Sequence, residues 1–351
     1  MAAELDRQKL STFRHTLAGI NNGGMLNLML KIGDDLGLFD AAAQGPASSQ
    51  QLAERAGLQE RYVREWLGAM VTGGIFEYDA ATGTYILPPE HTSLLTGVDN
   101  VTAFAHRTVL FTKHLPGVTE AFKNGGGVPY TAFRPDFTTF QNLGSRRRHD
   151  RFLLSNYLAA VPGLTERLSR GLRACDVGCG TGHAANLMAQ AFPASTFVGY
   201  DIGQDAIDSA REEARDFRLG NASFEVQDAL HFPTDPKFDL ITAFDAIHDQ
   251  VDPQGVLNQV HAALAPGGTF LMLDIKASSN LEENIGMSLA PSVYSVSVMH
   301  CMTVSLAHGG AGLGTAWGEQ LARKMLAEAG FTRVETADPH DQMNLVYACY
   351  A

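Results

Sequence analysis

Cysteine is scarce in this chain, with 4 among 351 residues. Cys175, Cys179, Cys301 and Cys349 form no C-x-x-C pair and no Cys/His set at ligand spacing. Neither a disulfide framework nor a metal site is therefore expected, and reduced thiols in a cytoplasmic protein are. Long apolar runs are missing too: none approaches the ~20 residues that a bilayer crossing requires. The opening stretch MAAELDRQKLSTFRH is charged and has no apolar stretch of the kind an export signal carries. Positive charge is in deficit, with 26 Lys plus Arg against 38 Asp plus Glu and a net charge of −12. That balance argues against a general affinity for nucleic acid. Internal repeats and low-complexity tracts are absent as well.

Apolar residues make up 45% of the chain, and its length suits two ordinary domains. Residues 1–100 read as a helical segment followed by a helix-turn-helix with a wing. MLNLMLKIGDDLGLF has apolar residues at helical spacing. SSQQLAERAG opens with a capping pattern, Ser48 to Gln51, and stops at Gly57. QERYVREWLGAMVTGG sets Val63, Trp66, Leu67 and Met70 on one helical face, and IFEYDAATGTYILP reads as a hairpin. Residues 101–170 read as mostly helical around the loop KNGGGVPYTAFRPD. Residues 171–351 alternate strands with helices. The strands expected are RACDVG, STFVGYD, ASFEVQD, FDLITAFD and GTFLMLDI, then RVETAD and NLVYACY. Helical patterns between the first five imply a parallel α/β sheet of doubly wound type. Only PHDQM joins the last two, so they are expected to form an antiparallel hairpin at the edge.

The stretch DVGCGTG, Asp176 to Gly182, follows the first of these strands and precedes a helix. Such a turn makes a nest of backbone amides at a helix N-terminus, where an anion settles. Asp176 stands two residues before Gly178, placed to receive an ammonium group. Asp201 ends the second strand, where an acid takes two ribose hydroxyls. Asp228 ends the third, where a carboxylate can accept from an adenine amino group. Ammonium, carboxylate, ribose and adenine together describe S-adenosylmethionine. Two alternatives stay open: a nicotinamide dinucleotide, whose site has similar glycines, and a ligand-free turn in which Asp228 merely caps a helix.

These motifs give the chain a resemblance to a known family. Residues 171–351 resemble the class I S-adenosylmethionine-dependent methyltransferases. DVGCGTG is similar to that family's first motif, GYDI to its second-strand end, and VQDA and LAPGGTFLMLD to its third- and fifth-strand motifs. The whole chain resembles the small-molecule O-methyltransferases of plants and bacteria that carry an N-terminal winged helix, and looks most like their uncharacterised bacterial and mycobacterial forms. The resemblance implies a seven-stranded Rossmann-like sheet, mostly parallel with an antiparallel last strand, behind an α-helical winged-helix domain. It implies S-adenosylmethionine as cofactor, held by Asp176, Gly178, Cys179, Gly180, Thr181, Gly182, Asp201, Ile202, Asp228, Ala229, Asp245 and Ala246. It also implies a homodimer in which residues 1–100 serve as the dimerisation domain, with Trp66 and the apolar first helix at the interface. Residues 101–170 become a linker and pocket cap, and residues 171–351 the cofactor-binding domain.

Methyl transfer to a hydroxyl needs a base within hydrogen-bond reach. IHD, with His248, matches the segment that carries the catalytic histidine in the plant-type enzymes, and Asp274 falls where that family places a Glu to orient it. A carboxylate on one imidazole nitrogen fixes the tautomer and leaves the other as base. The alternative is a structural histidine bonded to backbone at a helix start. The family's second Glu is replaced here by Ala316, with Glu319 the nearest acid. MHCM, Met299 to Met302, reads as core or pocket lining, with Met299, Met302 and Tyr294 as wall residues. Tyr130 and Phe133 are placed to cap the pocket, and RRRHDR, Arg146 to Arg151, reads as a solvated helix face. The acceptor expected is small and fairly apolar, with oxygen the methylated atom.

Two further functions compete: a cofactor-binding protein without catalysis, and a winged-helix transcription regulator that binds S-adenosylmethionine or another small ligand. The reading helix of such a regulator would expose Gln59, Glu60, Arg61, Arg64 and Glu65. Residues 1–100 hold 7 Lys plus Arg against 12 Asp plus Glu, a net −5, which is the wrong sign for phosphate.

Overall fold

The structure, a computed structural model, describes residues 5–97 and 100–351. It divides into two compact units, Met1–Thr112 and Lys113–Ala351. The helical stretch expected at 101–170 is therefore shared between them, most of it belonging with the sheet.

The first unit begins with the 29-residue helix Arg7–Asp35, capped by Asp6, whose carboxylate accepts from the amides of Gln8 and Lys9. The helix Ser49–Ala56 has the expected capping box between Ser48 and Gln51 and ends at Gly57 with φ 69°. In the helix Glu60–Thr72 the spaced residues Val63, Trp66, Leu67 and Met70 are all buried. Trp66 packs on Phe39 and Phe76 at 5.6 and 5.4 Å between ring centres, and its indole N–H donates to the Met29 carbonyl at 2.9 Å. This corrects the interface role expected for Trp66: a ring with its polar atom satisfied inside the unit belongs to the core. Gly33 permits this packing, since a Cβ there would lie 2.7 Å from both Phe39 and Trp66. The wing is β1 (Glu77–Asp79) paired antiparallel with β2 (Thr84–Ile86), Tyr78 facing Tyr85.

The second unit holds a seven-stranded sheet. Its strands are β3 (Arg173–Val177), β4 (Thr196–Asp201), β5 (Ala222–Val226), β6 (Phe238–Phe244), β7 (Leu264–Ile275), β8 (Arg333–Ala337) and β9 (Asn344–Tyr350). Their order is β5-β4-β3-β6-β7-β9-β8. Pairing is parallel from β5 to β7, and β9 runs antiparallel to both β7 and β8. Both faces are covered, which explains the near-continuous apolar runs in β6 and β7. Ile241, Phe270, Met272 and Tyr347 enter one core; their neighbours Leu240, Leu271, Leu273 and Val346 enter the other with Leu153, Tyr157 and Leu164.

The expected alternation of strand and helix fails once. Residues 227–237, between β5 and β6, contain no helix. Pro233 and Pro236 sit in this connection, and each removes an amide that a helix would need.

Candidate functional site

The carboxyl ends of β3, β4, β6 and β7 converge on one edge of the sheet, where a parallel arrangement places a ligand crevice. The glycine turn leaves β3 there. Gly178, Gly180 and Gly182 have φ of 71°, 54° and 72°, the left-handed region where a side chain is strained. Gly182 is also crowded, since a Cβ would stand 2.5 Å from Ala210 and Phe224, whereas a Cβ on Gly180 meets nothing within 4 Å. The amides are not bare, as the anion-nest reading expects. Those of Gly178 and Cys179 donate to the Tyr200 carbonyl at 2.8 and 3.0 Å, and that of Gly180 to Asp201 at 2.9 Å. The turn is anchored to the end of β4, and the backbone is left open beside Gly180. Thr181 donates its hydroxyl to Asn142 at 2.8 Å.

Asp176 is buried at the end of β3, accepting the Thr242 hydroxyl at 2.7 Å. Among the described residues it has no Lys, Arg or His partner, and burial pushes its pKa up to about 7 despite that hydrogen bond. Ionised, this carboxyl would be a buried charge with no cation beside it. Asp201 accepts the amides of Gly180 and Gly203 at 2.9 and 2.8 Å, and burial raises its pKa as well. An ionised carboxylate has about four lone-pair sites, so two remain for hydroxyl donors. Ile202, next along, is 64% exposed, an apolar platform at the strand end. Asp228 accepts the Leu230 amide at 2.9 Å and so caps a turn, with Ala229 buried behind it.

Asp245 pairs with Arg148 at 2.9 Å and accepts from the Asn344 side chain at 2.6 Å, with its own backbone at φ 52°. Ala246 packs against Gly178, where a Cβ would come within 2.6 Å. The same ion pair corrects the reading of RRRHDR as a solvated face. Arg148 also donates to Asn344 Oδ1 at 3.1 Å, and Arg146 pairs with Glu213, so two of the stretch's arginines lock the helix Asp136–Arg148 onto the sheet domain. No local pattern could reveal this, because the partners lie far along the chain.

His248 lies in a turn after β6, not at a helix start, and is 3% exposed. Its Nδ1 stands 2.7 Å from Oδ1 of Asp274, the buried carboxylate near the end of β7. The expected pair is thus brought together, and the partner is a carboxylate rather than backbone. Its Nε2 lies 3.5 Å from Asp249 Oδ1. Burial disfavours a charged imidazole, but Asp274 and then Asp249 outweigh it and hold the pKa well above the ordinary 6.5. Cys301, distant in sequence, is brought beside His248, so that the ligand atoms of His248, Asp249 and Cys301 lie within 4.8 Å of one another. His300 stacks on Phe137 at 3.8 Å and meets Phe133 edge-on at 4.8 Å, with Tyr130 at 6.0 Å. The two aromatics expected as a cap therefore converge on this side of the site. Arg134, which no sequence pattern singled out, stands over Tyr130 at 5.3 Å and pairs with Asp205.

Past Asp274 a cavity opens, lined mostly by apolar side chains that include Ile275, Met287, Leu289, Val293, Tyr294 and Met343. Ala316, at the position of the missing Glu, also lines it, whereas Met299 and Met302 do not.

Residues 168–331 match the family described as "Methyltransferase domain", and residues 24–97 match "Rv2258c-like winged HTH domain". A trans-aconitate 2-methyltransferase of Variovorax paradoxus is 39% identical over 127 residues, 36% of this chain and 44% of that protein. The acetylserotonin O-methyltransferase of Rattus norvegicus is 27% identical over 283 residues, 77% of this chain and 64% of its own. The chain thus spans less than two thirds of either relative. A solved structure of a candidate O-methyltransferase from Nostoc punctiforme shares the fold at a TM-score of 0.75 and 20% identity, covering 97% of this chain and 98% of its own.

Proposed function

Because the chain belongs to the methyltransferases, with an N-terminal winged helix-turn-helix domain, we propose that it methylates an oxygen of a small, fairly apolar molecule at the expense of S-adenosylmethionine. One observation carries the reading: the buried His248–Asp274 pair, 2.7 Å apart, stands on the same sheet edge as the Asp176 carboxyl and the open backbone of Gly180. The residues fit the cofactor. Asp176 would take its ammonium, Asp201 its ribose hydroxyls, and Ile202, Asp228 and Ala229 would flank its base. The chemistry such a group supplies is an electrophilic methyl carbon on a sulfonium.

The protein's own share is alignment, exclusion of water and removal of one proton. Asp274 holds Nδ1–H of His248, which directs the lone pair of Nε2 outward. Asp274 and then Asp249 favour the protonated imidazole against the cost of burial, so His248 acts as base only in its neutral form, with Nε2 free to take the acceptor's hydroxyl proton. Burial of His248 and the aromatic wall of Phe133 and Phe137 keep the region dry, which favours a reaction that neutralises charge. The cavity beyond Asp274, with its Met, Leu, Val and Tyr lining, supports an apolar acceptor.

The same reading takes the protein as a cytoplasmic homodimer. Support comes from four free cysteines and from Leu10, Phe13, Leu17 and Ile20, all exposed along the helix Arg7–Asp35. A second copy of the chain would cover that stripe. No helix among the described residues is long and apolar enough to cross a membrane. A regulator's role finds no support: Arg61 and Arg64 are engaged by Glu65 and Glu60 on their own helix. Incubation with donor labelled in its methyl group and a metabolite extract tests the activity. Label on a small apolar molecule is expected; label on none, with donor bound, would leave a binding protein without catalysis.

A further inference from the structure

The cluster around His248 has a second chemistry. We propose that His248, Asp249 and Cys301 form a binding site for a single zinc ion, and that its occupation silences methyl transfer by taking the lone pair of His248 Nε2. The binding half stands on geometry alone; the silencing half rests on the base role proposed above.

Three ligand atoms of the types zinc prefers, an imidazole nitrogen, a carboxylate oxygen and a thiol sulfur, lie within 4.8 Å of one another. Two N/O ligands at about 2.0–2.1 Å from a tetrahedral ion stand about 3.3 Å apart. His248 Nε2 and Asp249 Oδ1 are separated by 3.5 Å, so an ion between them needs almost no rearrangement. That Asp249 oxygen is buried and accepts no hydrogen bond. An unsatisfied carboxylate oxygen facing a nitrogen and a sulfur is what a cation would satisfy.

The surroundings are those of a metal ligand set. A ligating histidine ordinarily donates its other N–H to a carboxylate, which orients the ring and strengthens the donor. Asp274 does this at 2.7 Å on Nδ1. The other oxygen of Asp249 lies 3.8 Å from His300 Nδ1. His248 and Cys301 are buried, whereas the Asp249 side chain is 26% exposed. Three protein ligands with one open side make a site that an ion can enter and water can complete. On binding, the Cys301 thiol gives its proton to solvent, and His248 coordinates through an unprotonated Nε2. Spacing along the chain concealed the set, because Cys301 is carried to His248 by the segment between β7 and β8.

Co2+ replaces zinc as a visible probe. Titrated into metal-free protein, it should saturate at one equivalent with a sulfur-to-cobalt charge-transfer band and the strong d–d bands of a four-coordinate ion. Zn2+ should then displace it. Cys301→Ser should abolish the charge-transfer band, and Asp249→Asn should weaken Co2+ affinity at least about tenfold. If Cys301→Ser does not fold, as circular dichroism would reveal, the wild-type stoichiometry and Asp249→Asn still decide. A wild-type titration without the band, or a spectrum unaltered by both substitutions, overturns the site. Where methyl transfer is measurable, one equivalent of Zn2+ should slow it about 10²–10⁴-fold, the worth of a general base, and a chelator should restore it. Bound metal with undiminished transfer overturns the silencing. Protein that binds the metal but never transfers methyl refutes the enzymatic reading and leaves the site intact.

Discussion

His248 and Asp176 carry opposite demands at the scale of the residue, and each makes a separable prediction. Replacing His248 with Ala should slow turnover about 10²–10⁴-fold while leaving cofactor affinity nearly unchanged, as single-turnover rates and a binding isotherm would measure. Asp176 makes its prediction through protons. Burial raises its carboxyl to about 7, so the folded protein holds a proton there that an unfolded chain releases near 3.8. The resulting penalty on stability is absent below 3.8 and grows as pH rises toward 7. Seating an ammonium group requires the carboxylate, so binding must expel that proton. Calorimetry in buffers of differing ionisation heat should find proton release on binding at pH 6 that shrinks as the pH is raised to 8. Both residues were legible, because each stands at a strand end in a motif with fixed order. Arg148 and Cys301 were not: their partners are supplied by segments far along the chain, and a run of arginines carries no sign of the acid it will meet.

The strand-turn-helix unit makes the prediction at the scale of the element. Three glycines look equivalent in DVGCGTG, yet the fold uses them differently. An alanine at position 180 or 182 suffers a left-handed backbone, at roughly 1–2 kcal/mol. Only at 182 does the methyl group also enter Ala210 and Phe224, adding roughly 1–3 kcal/mol. Denaturant unfolding should therefore rank Gly182→Ala as the less stable variant. Cofactor affinity should rank them in reverse, because the space beside Gly180 is where ligand backbone contact is expected. The turn's position was readable from its strand and helix. The spending of its amides on Tyr200 and Asp201 was not, since that depends on how β3 and β4 stand in register. The helix-free link from β5 to β6 could have been suspected from its prolines.

At the scale of the molecule the sequence was most informative where local rules agree with the fold. The capping box, the Gly57 stop and the apolar face of Glu60–Thr72 marked the first unit, and five apolar strands marked the sheet. The boundary at Thr112 was harder to see, because helices on both sides of it have the same texture. The long first helix leaves Leu10, Phe13, Leu17 and Ile20 exposed, and in a dimer they would be covered. Sedimentation should find two chains in solution, and a Phe13→Glu, Ile20→Glu variant should run as one. The account as a whole depends on a buried, cation-seeking carboxyl beside open glycine backbone. Calorimetric titration of the purified protein with S-adenosylmethionine probes that directly. Saturable uptake of one equivalent per chain, sharply weakened in Asp176→Ala, is the predicted result; no uptake of it, alongside saturable binding of a nicotinamide dinucleotide, would contradict the account.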